Sequence, residues 1–168
     1  MGLWAGFSWV ISFRLSAGAA LVAALAAVLG GCEEQGPWIG PFGTKRGITV
    51  EQLSKYAKLS EGESSGTYKV FTSSQAPLQS ASFQEYTYKF GKTVGLCSAA
   101  GLIAEGEGHS VLRDAADRFG SPKSSGVAIS WTAETHVLDG GIRSIQLLLS
   151  GDEPRVIIYE FIASEDCH

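Results

Sequence analysis

Between residues 83 and 90 the chain alternates. Tyr86, Tyr88 and Phe90 fall on one side, and Glu85, Thr87 and Lys89 on the other. A period of two sends successive side chains to opposite faces of a strand, so this stretch predicts a strand with one buried face. Gly91-Lys92 marks a turn, and the apolar run through Cys97 to Ala104 predicts the returning strand. A shorter strand is expected upstream, at "TYKVFTSS". The rhythm then changes to the helical period: Val111, Leu112, Ala115, Ala116 and Phe119 share one face, Gly120 stands at the stop and Pro122 just beyond. Three more strands close the chain. Their inward rows are expected to be Val127, Ile129 and Trp131; Ile145, Leu147 and Leu149; and Ile157, Tyr159 and Phe161. Gly140-Gly141 and residues 151–154 supply the turns.

An earlier helix is announced by its cap. Thr49 and Gln52 satisfy S/T-x-x-E/Q, Ile48 and Leu53 stand at staple positions, and Val50, Leu53 and Ala57 share a face. The order is therefore helix, three strands, helix, three strands, which suggests a duplicated α-β-β-β unit. Strands joined by short turns pair antiparallel. The expected fold is α+β, an antiparallel β-sheet with two helices packed on one face. Glu85, Lys89, Ser130, Thr132, Arg143, Ser144 and Gln146 alternate with the apolar rows, so the other face is expected to be partly wet.

The first 31 residues follow different rules. Residues 15–29 carry no charge and follow Arg14, which is the basic flank and short apolar core of an export signal. A membrane-spanning helix needs about 20 apolar residues, and reaching that length here means crossing Arg14, so a cleaved signal is favoured over an uncleaved anchor. "MGLWAG" does not fit the myristoylation pattern, because Gly6 stands where Ser or Thr is required. The run ends in Leu29-Gly30-Gly31-Cys32, which resembles the lipobox of bacterial lipoproteins. That resemblance implies a signal peptide over residues 1–31, an acylated Cys32 as mature N-terminus, and membrane lipid as a partner. One buried chain holds a protein marginally, whereas two or more anchor it stably. The implied location is the cell envelope, lipid-anchored and facing the periplasm, with inner and outer membrane both open. Residues 32–47, "CEEQGPWIGPFGTKRG", are expected to form a Gly/Pro-rich tether, with Trp38 and Phe42 either at the lipid interface or simply disordered with it. Residues 48–168 then form a single α+β domain. A second resemblance enters with "GITVEQL" (Gly47 to Leu53) and "FGSP" (Phe119 to Pro122), which are similar to segments of small envelope lipoproteins of the SmpA/OmlA type, part of outer-membrane protein assembly. Here the two pieces lie on separate predicted helices. More loosely, the "PFGTKRGITVEQL" start resembles that of uncharacterised bacterial exported proteins.

Charge narrows the partners. Arg14 is the one charged residue before Cys32, so residues 32–168 hold 12 of the 13 basic side chains against all 17 acidic ones, a formal charge of −5. Nucleic acid needs a basic footprint and is not expected as a partner. After Cys32 two cysteines remain, Cys97 and Cys167, and an oxidising compartment favours pairing them. The rival use is a metal site of Cys97, Cys167 and His168, but no C-x-x-C or H-x-x-x-H spacing supports zinc. No cofactor is expected.

Candidate chemistry is sparse. Gly62-Glu63-Ser64-Ser65-Gly66 matches G-x-S-x-G, yet the hydrolase elbow requires a strand before the serine and a helix after it, the reverse of what is expected here. His109 precedes the second long helix. His136 lies near Glu134 and Asp139, a cluster that would serve acid/base chemistry if the three converged. The expected function is a non-catalytic binding or scaffolding module with an envelope protein as partner. A small envelope hydrolase and a small-ligand carrier are the alternatives.

Overall fold

The computed structural model describes residues 36–136 and 138–168. Contacts divide the chain at Gln35, and everything below concerns the unit Gln35–His168. Helix α1 is short, Val50–Ser54, because its cap is stronger than its length. The Thr49 hydroxyl accepts from the Gln52 amide at 3.2 Å while the Gln52 carboxamide accepts from the Thr49 amide at 2.9 Å, closing the expected capping box. Leu53 and Ala57 are buried beneath it. Helix α2, Gly108–Phe119, buries Val111, Ala115 and Phe119 and packs on the sheet's central region. It ends where expected, at Gly120 (φ 85°), a left-handed position that favours glycine.

Eight strands form one antiparallel sheet: β1 (Ser60–Glu61), β2 (Tyr68–Ser73), β3 (Phe83–Gly91), β4 (Gly95–Ile103), β5 (Lys123–Ser124), β6 (Ala128–Thr132), β7 (Ser144–Ser150) and β8 (Glu153–Glu160). Their order is β1-β2-β3-β4-β8-β7-β6-β5. The order reads alike from either edge, with β4 and β8 paired at the centre. The interval from Val50 to Gly108, where the helices start, equals that from Gly95 to Glu153, where the central strands start. The α+β fold with its repeated halves is therefore as expected, except that each half carries an additional two-residue strand at the sheet edge. Such short edge strands present little free ladder to a foreign strand.

Register explains which face is buried. One row crosses six strands on the helix side: Phe71, Tyr88, Ala99, Tyr159, Ile145 and Trp131 are successive cross-strand partners. Tyr88, Ala99, Ile145 and Trp131 are fully buried. Two expected inward residues do not follow. Val127 lies before β6 begins and is exposed, and a register shift between Leu148 and Leu149 moves Leu149 out of the inward row.

Residues 36–47 correct the tether reading. Trp38 is buried against Tyr56, ring centroids 5.6 Å apart, and Thr44 and Ile48 are fully buried. Phe42, in the 3-10 turn Pro41–Gly43, adopts φ 57° and ψ 20°, a left-handed conformation uncommon for a residue with a side chain. It is held there by packing. Its ring meets Phe83 and Tyr86 at 5.0 Å and Tyr159 at 5.5 Å, all edge to face. It fits because Gly101 on β4 leaves a gap: a Cβ there would lie 2.8 Å from the Phe42 ring and 2.7 Å from Phe83. Trp38 therefore belongs to the core, the half-buried Phe42 packs against it, and the segment straps the helix-covered side of the sheet.

Candidate functional site

The expected polar cluster does not converge. His136 uses both ring nitrogens locally: Nδ1 lies 2.7 Å from the Thr135 hydroxyl, and Nε2 lies 2.9 Å from the Ser121 carbonyl oxygen. A carbonyl only accepts, so Nε2 carries the proton and Nδ1 accepts from Thr135. The ring thus ties the β6–β7 loop to the turn after α2. Asp139 faces Arg118 instead, at 4.0 Å with both side chains more than half exposed, and Glu134 is exposed. The three residues share a loop without sharing a hydrogen bond.

Ser64 sits in the loop between β1 and β2, where its hydroxyl accepts from the Val70 amide at 3.4 Å. A strand follows it rather than a helix, so the elbow geometry is absent. His109 is exposed in the first turn of α2. Cys97 and Cys167 are joined, with Cα atoms 6.0 Å apart, and both are buried. The bridge, together with bonds from the Thr93 amide and hydroxyl to the His168 main-chain oxygen, draws the segment after β8 back onto the β3–β4 hairpin. Those cysteines are thereby committed to structure. Among the described residues no three acidic, histidine or cysteine side chains come together as a metal would need. Cys32 lies outside the described residues.

Two surfaces stand out among the described residues. The first is the sheet face opposite the helices. Its central row runs Glu85, Leu102, Val156, Leu148 and Ala128 across five strands, and Leu102 and Leu148 are about two-fifths exposed at 40% and 38%. On one side lies a row of Thr72, Thr87, Ala100, Ile158, Gln146 and Ser130, apolar at its centre and polar at its ends; on the other lies a polar row that holds Lys89, Ser98, Glu160 and Ser144, whose hydroxyl donates to the Glu160 carboxylate at 2.6 Å. An apolar patch of Leu102, Val156, Leu148, Ala100 and Ile158 with a polar rim is the composition of a protein contact. The sequence reading anticipated the wet borders but assigned most of the apolar sheet surface to the core. Only register shows which leucines face outward.

The second is an open cleft of about 520 Å³ between the start of α1 and the β3–β4 turn, floored by Phe71 and Phe90 and rimmed by Lys69, Lys92 and Glu51. Lys69 is already paired with Glu61 at 3.4 Å. Hydrogen bonding, first from its own backbone amide and then from Thr49, holds the Glu51 carboxyl below the usual carboxylate range. No sequence signal marked this cleft, because its lining comes from three separated segments. No protein-family model, curated protein or solved structure matches the chain.

Proposed function

We propose that this chain is a lipid-anchored bacterial envelope protein whose domain binds another envelope protein without catalysing a reaction. The observation that carries the reading is the apolar row of Leu102, Val156 and Leu148 on a sheet face that α1, α2 and the strap leave uncovered. Contiguous apolar surface of that kind on a folded domain marks interaction sites. The Leu29-Gly30-Gly31-Cys32 motif supports the anchor, and two-dimensional confinement favours weak contacts with neighbours in the same membrane. His136, Glu134 and Asp139 each have separate surroundings, so that cluster lends the hydrolase alternative no support. The cleft over Phe71 and Phe90 favours a second reading, a carrier of a small apolar ligand.

Crosslinking in membranes with mass spectrometry tests this. Wild type should capture a defined neighbour, which Cys32→Ala loses on release and Leu148→Asp loses while still anchored. Retention of the same neighbour by Leu148→Asp would refute the sheet-face reading. Capture unaffected by Leu148→Asp but abolished by Phe71→Asp would move the site to the cleft.

A further inference from the structure

We infer that the domain rests on the bilayer through its strap and α1, with Ile39 set into the interface and the open sheet face directed away from the lipid. This rests on acylation of Cys32. A mature chain starting there has six peptide steps to Trp38, which is fixed in the core. Fully extended, six residues reach about 20 Å, while a domain of this length is roughly 35 Å across. The link is shorter than the domain is wide. The lipid must therefore lie on the side where the strap emerges, and Phe42 over Gly101 fixes that as the helix-covered side.

Two further features of that side fit a lipid surface. Ile39 follows buried Trp38 yet is 91% exposed, the most exposed of the large apolar residues described. Its place at the tip of the strap suits shallow burial among acyl chains, where a lone apolar side chain loses its contact with water. Charge also reverses locally. Residues 45–58 carry Lys45, Arg46, Lys55 and Lys58 against Glu51, whereas the rest of the chain from Cys32 on carries eight basic and sixteen acidic side chains. That basic segment complements anionic headgroups, while Glu33 and Glu34 directly follow the anchor.

Depth-dependent quenching tests the orientation. Cys32 is acylated and Cys97 bonded to Cys167, so Ile39→Cys or Leu148→Cys introduces one reactive thiol for bimane. The lipidated full chain would be reconstituted in phosphatidylethanolamine–phosphatidylglycerol vesicles carrying doxyl-labelled lipid. The probe at 39 should lose most of its emission, the probe at 148 almost none, and the difference should shrink with added salt. Vesicle-bound protein quenched equally at both positions, or more at 148, would overturn the orientation alone. Protein that does not float with the vesicles at all would overturn the anchor and the orientation with it.

Discussion

Phe42 shows how much a single side chain decides here. In the sequence it sits in "GPFG", between residues that normally mark a linker, and composition alone reads the stretch as tether. The glycines serve packing instead. Gly101 makes room for the ring, and Gly43, at φ 73°, lets the chain pass so close to Leu78 that a Cβ would lie 2.8 Å from its amide nitrogen. Phe42→Ala should destabilise the domain by about 2–3 kcal/mol, below the range for a fully buried aromatic because the ring is half-buried, measured by urea unfolding. A tether residue would change nothing. The buried tryptophans make a paired comparison. Trp131 donates from Nε1 to the Gly120 carbonyl at 2.7 Å, whereas Trp38 Nε1 is buried without a hydrogen-bond partner among the described residues. Trp131→Phe should therefore cost more than Trp38→Phe, by about 1–3 kcal/mol, because the latter removes an unsatisfied donor as well as apolar area. Equal costs would mean that the Trp38 donor is satisfied in solution.

Among the elements, those with a strong local signal were legible. The alternation of Tyr86, Tyr88 and Phe90 and the face of Val111, Ala115 and Phe119 each follow from one period read over one segment, and both appear in the fold. The Thr49–Gln52 box was legible because capping is a contact between residues three apart. Thr49→Ala should cost about 1 kcal/mol, as for other N-caps, read from the shift in the urea midpoint. Illegible elements depend on partners distant in sequence. The two-residue strands β1 and β5 exist only because β2 and β6 offer them an edge. Leu149 leaves the inward row because of a register shift against β8, which no pattern within β7 encodes. The candidate surfaces share that origin: Leu102, Val156 and Leu148 become neighbours through pairing of β4, β8 and β7, and the cleft gathers three segments.

At the scale of the molecule, a mirrored strand order, a strap and a cross-link act together. The Cys97–Cys167 bridge closes a 70-residue separation and so removes much unfolded-state freedom. Replacing both cysteines with alanine should lower stability by about 4 kcal/mol on the loop-entropy model while leaving one cooperative transition, since every strand of the sheet keeps its partner. The core also sets a limit at high pH. Burial pushes the Tyr159 hydroxyl up to about 12 against the opposing pull of Arg118, and burial, reinforced by Tyr86, raises Tyr88 further still. Both hydroxyls hold their protons in the fold beyond the pH at which an unfolded chain gives them up, near 10. Their contribution is intact below pH 10 and is lost as pH rises toward 12. Tyrosinate absorbance should therefore rise in a late step that coincides with loss of the fold; a single early rise with the fold intact would contradict it. Each surface effect proposed above depends on where the chain is held, and the intact mass of protein extracted from membranes reads that out. The expected mass is that of residues 32–168 with the 97–167 bridge closed and glyceride and acyl groups on Cys32. A protein still carrying residues 1–31, with a free thiol at Cys32, would contradict it.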